Sequence, residues 1–416
     1  MKVIICGAGI AGLTLANRLS ALGNDVVLLE HSPGPRAQGY MIDFFGPGYD
    51  TAAAMGLLPA IKEVAYDIEE ASLVDERGRR RAAIRPAQFA DGPLLDVMRP
   101  DLEHVLRESL PAGVDLRFGT SLVAATDVDD AARVTLDDGA HLYADLVVGA
   151  DGLHSTVRRL VFGDESQFLR YLGFHTAAFM FSDREIHDSV AGRFCLTDTI
   201  DRQIGLYSLR DDRVAVFAVH RTPDPTVPAD TRAALREAYG GLGWLVPRAL
   251  EHCPRADEIY YDQVAQVVMP RWSKGRAVLV GDACYAVSLI AGQGASLGMA
   301  GAYVLADQLS RAPSINEALA GYEKLWRPVA EEKQRVGRSG ARWFLPGSSW
   351  QLFVRRAVLR AARLPFFDRL VSTTLAGKSS ALIADLNRRR ARRLFDESEW
   401  SGSGDAGGFW CSGPAV

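Results

Sequence analysis

Cysteine is scarce: Cys6, Cys195, Cys253, Cys284 and Cys411 are the only five in 416 residues, far apart and with no C-x-x-C pair. That spacing argues against a disulfide framework and a cysteine zinc site, and makes a reduced cytoplasm the expected compartment. An excess of one charge is missing as well. The 47 Lys and Arg stand against 51 Asp and Glu, so there is no global positive field to hold nucleic acid through counterion release. None of the eight histidines stands with Ser and Asp in a triad pattern, so hydrolase chemistry has no support, and no metal-ligand spacing is present. There is no 20-to-50-residue repeat and no basic leader, and the fold is expected to start at residue 2. One uncharged run, residues 283–306, is long enough to raise a membrane helix. Gly292, Gln293, Gly294, Ser296, Gly298 and Gly301 dilute its apolarity and favour a buried helix instead.

What is present is the composition of a globular protein, 48% hydrophobic and 24% charged, long enough for two or three domains. Residues 2–6 read as a buried strand, 7–12 as a turn, 13–22 as a helix closed by Gly23, and 25–29 as a second strand, which is a βαβ opening. Two later apolar strands, 142–148 and 277–280, also end at Gly/Asp clusters, Gly149-Ala150-Asp151-Gly152 and Gly281-Asp282. In an open parallel sheet the ligand crevice lies beyond the carboxyl ends of the strands, so distant clusters of this kind converge on one ligand. Residues 170–219 change character to alternating strands with a turn at Asp211-Asp212, an inserted and largely antiparallel sheet. A proline-rich loop at 222–228 and a helix from about Asp230 follow, and after Leu309 the pattern is helical to about Arg393.

Gly7-Ala8-Gly9-Ile10-Ala11-Gly12 fits G-x-G-x-x-G, with glycines for the tight turn, for access of a pyrophosphate and for close helix packing. Helix N-terminal amides stabilise the phosphates. Glu30, at the end of the next strand and 18 residues beyond Gly12, is placed to accept from a ribose diol. A nicotinamide dehydrogenase has no need of a further Gly-Asp cluster after residue 275, whereas an extended FAD must be held along its ribityl chain and ring. Asp282 suits the ribityl hydroxyls, and Gly292-Gln293-Gly294 opens a helix whose N-terminus faces the pyrimidine end of a flavin and stabilises negative charge there.

With these motifs the chain resembles the FAD-dependent aromatic hydroxylases, single-component monooxygenases similar to para-hydroxybenzoate hydroxylase and the tetracycline-inactivating monooxygenases, over about residues 1–340. Asp151-Gly152-Leu153-His154-Ser155-Thr156-Val157-Arg158 looks like the family's D-G-x-x-S-x-V-R segment, linked there to FAD and NAD(P)H. Gly281-Asp282 looks like its ribityl-binding pair, and Arg99 occupies the place of its R-x-x-L arginine. The resemblance implies an α/β fold with a Rossmann-type FAD-binding domain (1–70, 95–165, 270–330), an inserted mainly antiparallel substrate sheet (71–94, 166–269), a C-terminal helical region (331–396) and a loose tail (397–416). It implies FAD as cofactor, NADPH or NADH as transient reductant, and oxygen transfer from a C4a-hydroperoxyflavin to an aromatic or polycyclic small molecule. The rival within the fold is an FAD oxidoreductase that inserts no oxygen. The expected cofactor residues are Gly7, Gly9, Ile10, Ala11, Gly12, Glu30, Arg36, Asp43, Arg99, Leu122, Asp151, Asp282, Gly292, Gly294 and Ala295. The family's G-D-A-A-H-x-x-x-P is absent, since this chain continues Ala283-Cys284-Tyr285-Ala286-Val287-Ser288-Leu289.

Catalytic side chains are not assigned. Gln203, Tyr207, His220 and Leu289 are the substrate candidates, with Gln203, Gly205 and Tyr207 on one face of a strand by period-two alternation. His154 is expected to face solvent. The segment 335–393 holds fourteen Lys or Arg against Asp368 and Asp385. It reads either as a helical cap docked on an acidic body or as a contact for an anionic membrane or a carrier protein. The expected state is a monomer or homodimer, with O2 and the small-molecule substrate as partners.

Overall fold

The computed structural model describes residues 1–85, 92–128, 130–288, 292–361, 381–386 and 388. In chain order its elements begin with β1 (Lys2–Cys6), α1 (Ile10–Ala21), β2 (Asp25–Leu29), β3 (Met41–Phe45), α2 (Pro47–Ala54), α3 (Leu58–Val64), β4 (Glu70–Val74), β5 (Arg80–Ile84), β6 (Leu94–Met98) and α4 (Arg99–Glu108). There follow β7 (Asp115–Arg117), β8 (Leu122–Val128), β9 (Ala131–Leu136), β10 (His141–Ala144), β11 (Leu146–Gly149), α5 (Thr156–Val161), β12 (Leu169–Ser182), α6 (Arg184–Val190), β13 (Arg193–Thr197), β14 (Arg202–Ser208) and β15 (Arg213–Arg221). The rest are α7 (Thr231–Tyr239), α8 (Val246–Glu251), β16 (Tyr260–Val267), β17 (Ser273–Lys274), β18 (Ala277–Leu279), α9 (Asp282–Tyr285), α10 (Gly294–Arg311), α11 (Ile315–Phe344) and α12 (Ser349–Ala361).

A six-stranded sheet runs β17-β18-β11-β1-β2-β7, parallel from β18 through β7. Its middle strands are buried on both faces, with Val3, Ile4, Ile5, Leu146, Val147 and Val148 fully covered, which is why they read as continuous apolar runs. The register brings the ends of β1, β11 and β18 together, Cys6 opposite Gly149 and Gly149 opposite Leu279. The apolar run 142–148 is two strands rather than one. Asp145 separates β10 from β11, and its carboxylate accepts the Lys2 amide at 2.7 Å, so the chain leaves a three-stranded sheet (β10-β9-β8) to enter the parallel one. The uncharged run 283–306 is likewise broken between α9 and α10, and among the described residues no helix is long and apolar enough to cross a membrane.

The second sheet runs β16-β12-β15-β14-β13-β4-β5, antiparallel except where β13 meets β4. The turn joining β14 to β15 carries Asp211 and Asp212 at φ 60° and 55°, the paired positive values of a type I′ hairpin. One face packs Ile204, Leu206, Val214, Val216 and Phe179 against Leu235, Tyr239, Val246 and Leu250 of α7 and α8. Asp230 caps α7 by accepting the Ala233 amide at 2.9 Å. The opposite face meets the antiparallel β3–β6 ribbon. Ile42, Phe44, Leu95 and Val97 of that ribbon pack into the core around the parallel sheet, while Met41 and Met98 pack with Tyr207, Ala215, Phe194 and Phe217 of the second sheet. The ribbon is therefore the hinge-piece that sets one sheet against the other.

The C-terminal helices close this face. Phe344 and Leu345 pack with Phe174, Val219, Val264 and Phe217, and Leu359 with Leu73, Ala82 and Leu196. Asp198, whose side chain is fully buried, receives Arg355 at 2.6 Å and Arg356 at 2.5 Å. This ion pair explains part of the basic C-terminal charge as docking of α12 on the sheet. Asp198→Ala leaves the Arg355 cation buried without a carboxylate and should cost about 3–5 kcal/mol. Urea unfolding with proteolysis near residue 350 checks this, and a variant as stable and resistant as the parent contradicts it.

Candidate active site

The first turn is built by close approach. A Cβ on Gly12 would meet the Gly7 oxygen at 1.9 Å, and one on Gly7, at φ 104°, the Ala150 oxygen at 2.5 Å. Gly9 differs: a Cβ there would meet only Glu103 Oε1, at 3.8 Å, so its backbone lies open to a ligand. Glu30 accepts the Ala8 amide through Oε2 and the Ser32 amide through Oε1, both at 2.9 Å. Burial raises its pKa, but these amides and the nearby His31 outweigh that and hold it below the ordinary carboxylate value. Arg36 lies 3.7 Å from Glu30 and donates to Ser32 Oγ at 3.1 Å, at the same end of the cleft. Leu122 is a buried core residue. Its neighbourhood reaches the cleft through backbone alone, the Thr120 amide donating to the Glu30 carbonyl at 2.9 Å.

The other end forms around Asp282. A Cβ on Gly281 would lie 2.9 Å from the Ala11 Cβ, and one on Gly298 would lie 3.5 Å from it, so α1, the Gly281 turn and α10 meet at small residues. Ile10 is buried in the core, and Ala11 and Ala295 are half-buried against it. Asp282 Oδ1 is 3.9 Å from the Cβ position of Gly294, the first residue of α10, and Gly292 just before it has φ 64°. Asp282 is reachable by water yet walled by protein, as a group lining a deep cleft is. Burial raises its pKa, Arg99 opposes this and Asp262 adds to it. Arg99 spans the middle, with Nε on Glu103 Oε1 at 3.1 Å and its amide on the Tyr40 carbonyl at 3.1 Å.

Asp43 faces the second sheet. It stands directly opposite Asp96 on the β3–β6 ribbon. Burial first, then mutual repulsion, raises Asp96, and burial raises Asp43. Asp96 is 8% exposed whereas Asp43 opens to the cleft. Tyr40, just before β3, is half-buried and lies 5.8 Å from the Phe217 ring and 5.5 Å from that of Tyr260. Sequence reading missed Asp96, whose only local signal is its place three residues before Arg99.

Other expected residues sit elsewhere. Asp151 touches the Gly7 turn through its backbone, but its carboxylate accepts Ser155 Oγ and the Val157 amide and so caps α5. Gln203 is buried and donates to the Thr197 carbonyl at 3.0 Å. Tyr207 is 1% exposed, its hydroxyl accepting the Met41 amide at 2.8 Å, which makes it a strut between sheet and ribbon rather than a substrate ligand. His220 carries its ring to the helix-covered face, against Tyr239 at 3.1 Å and 5.7 Å from His175, away from the cleft. Leu289 lies outside the described residues. Ser288 has φ 81°, a backbone angle closed to proline.

His154 is half-exposed but not free. It bridges Glu165 at 3.0 Å and Asp262 of β16 at 3.1 Å, joining the Asp151 loop to the second sheet. Glu165 in turn holds the fully buried Arg158, which donates to the carbonyl of Ala283, next to Asp282.

This geometry has known counterparts. The family model described as "FAD binding domain" matches residues 1–335, and the chain belongs to that family. An uncharacterised Mycobacterium tuberculosis protein is 36% identical over 320 residues, covering 74% of this chain and 85% of the relative. A "FAD-dependent monooxygenase" of Sarocladium schorii is 31% identical over 379 residues, covering 83% and 88%. The structure of the tetracycline destructase Tet(55) superposes with a TM-score of 0.77 at 27% identity, covering 91% of this chain and 98% of that one. The protein is an FAD-dependent monooxygenase of the aromatic-hydroxylase type. The open backbone at Gly9, the carboxylates at Glu30 and Asp282 and the cradle of small residues between them fit FAD.

Two outcomes follow. Gly9→Asp puts a second carboxylate beside Glu103, where the glycine motif is expected to take a pyrophosphate, and should abolish FAD retention; a purified variant with the parent's flavin-to-protein absorbance ratio contradicts that expectation. His154 is pushed up to about 9, chiefly by its hydrogen bond to Asp262, against burial and with help from Glu165. A raised histidine contributes stability that is fully present below its unfolded value near 6.5 and is lost as pH rises through 9. Allowing for solvent screening of the half-exposed ring, that contribution is about 1 kcal/mol. His154→Gln should lower the urea midpoint at pH 6 and leave it unchanged at pH 10, whereas an equal loss at both contradicts the ion-pair account.

Proposed function

We propose that the protein uses NADPH or NADH and O2 to hydroxylate, or otherwise oxygenate, an aromatic or polycyclic small molecule. The observation that carries this reading is the cleft between the two sheets. Arg99 and Asp282 stand there with the N-terminus of α10, Tyr40 beside Arg99 meets Phe217 and Tyr260 of the second sheet, and Asp43 and Asp96 face each other on the adjoining ribbon. When bound, the flavin supplies the redox chemistry, taking a hydride from the nicotinamide and passing one oxygen atom of O2 to the substrate.

The chain's own residues do the rest. Glu30, the Gly9 amide and Arg99 hold the nucleotide end, with Arg99 exchanging Glu103 for a phosphate. Asp282 holds the ribityl side, and the α10 N-terminus stabilises negative charge on the reduced ring. The aromatic wall excludes water and favours a flat, apolar substrate. The exposed Asp43, opposite Asp96, presents a hydrogen-bonding group to a substrate hydroxyl. Similarity to a tetracycline destructase favours a polycyclic antibiotic or a related polyketide among aromatic substrates. Buried free thiols at Cys6, Cys195, Cys253 and Cys284 suit a reducing cytoplasm.

Aerobic oxidation of NADPH and of NADH with a panel of phenols and polycyclic antibiotics tests the reading. The expected result is substrate-stimulated oxidation with a product heavier by one oxygen atom, labelled when 18O2 is supplied. Flavin reduction and reoxidation without oxygenated product across the panel would point to the non-inserting oxidoreductase, with the left-handed backbone at Ser288 as the first cause to examine.

A further inference from the structure

The outward face of α12 has no role in the cleft and is not covered by any of the described residues. Trp350 and Phe353 are 70% and 61% exposed and stack on each other with centroids 5.8 Å apart. They are the two most exposed large apolar side chains among the described residues. The helix beneath them is firmly seated, because its inner face holds Leu359 against Leu73, Ala82 and Leu196 and pairs Arg355 and Arg356 with Asp198. The aromatic pair is therefore presented by an anchored element. Ala357, one turn beyond Phe353, continues the outward stripe, and the exposed Arg360 ends it. Asp198 pairs with two of the three arginines of α12, and the sequence that follows is also basic. From 348 to 393 the sequence holds eleven Lys or Arg against Asp368 and Asp385, with no glutamate.

Two exposed aromatic rings on a helix, set in a strongly cationic segment, match the interface of an anionic bilayer. Aromatic rings partition to the headgroup level, and nearby arginines gain from the negative surface potential. We infer that α12 is a peripheral membrane-docking element, with Trp350 and Phe353 inserted among the headgroups of an anionic lipid surface. No spanning segment is needed for this. The same helix covers the substrate side of the second sheet, so docking would hold the cleft beside a phase in which polycyclic substrates concentrate. Charge complementarity selects the bilayer over a second copy of this chain, because a second copy carries the same excess of positive charge in this stretch of sequence.

The test is sedimentation of the FAD-loaded full chain with vesicles of phosphatidylcholine alone and of phosphatidylcholine with phosphatidylglycerol, at low and high salt. The expected result is binding to the anionic vesicles only, release by salt, and at least a tenfold loss of partitioning in Trp350→Ala/Phe353→Ala. Both positions are exposed, so that variant should keep the parent's flavin spectrum and its NADPH oxidation in solution. Protein that stays in the supernatant with anionic vesicles would overturn the inference, and so would binding that the double variant leaves unchanged. A concentration-dependent dimer that the double variant abolishes, without lipid binding, would assign the face to a second copy instead.

Discussion

How closely three backbone turns can approach one another decides the rest of this structure. The ends of β1, β11 and β18 are neighbours in one parallel sheet, and the turns that leave them leave no room for side chains. Gly7 lies against Ala150, Gly12 against Gly7, and Gly281 and Gly298 against Ala11. Glycine at Gly7 and Gly281 also permits φ values of 104° and 68° that other residues resist. With these turns in contact, Glu30 follows the strand beside β1 and Asp282 follows the Gly281 turn at the same end of the sheet.

The second constraint is the two-faced ribbon β3–β6. Because its alternate side chains go to opposite sheets, it fixes the cleft's width as well as its lining. Tyr207 ties it to β14, and its one exposed carboxyl, Asp43, is backed by a buried carboxyl, Asp96. Burial raises the pKa of both, and for Asp96 the charge of Asp43 adds to it. His154 and Arg158 brace the other rim, linking the Asp151 loop both to β16 and to the turn after Asp282. The two sheets are thus held on both sides of the cleft by polar ties within a mainly apolar packing.

The nucleotide-binding half was readable in the sequence because its signals are local and rigidly spaced. The Gly7-x-Gly9-x-x-Gly12 turn, Glu30 after the next strand, and Gly281-Asp282 after an apolar strand each report a backbone requirement. What escaped was whatever depends on register between distant strands. Asp43 meets Asp96, His154 meets Asp262, and Asp198 meets Arg355, over separations that no periodicity encodes. Alternation placed Gln203 and Tyr207 on one face but not whether that face was covered there. The face of His220 depends on its pairing with Arg202 and His175, which the isolated strand does not reveal.

The convergence of the three turns is tested most directly by hydrogen exchange of the apoprotein with and without FAD. The account predicts simultaneous protection of residues 7–12, residues 281–285 and the first turn of α10, three regions far apart in sequence that FAD touches together. Protection confined to residues 7–12 would mean a ligand held by the first turn alone, and would contradict an FAD site spanning the cleft.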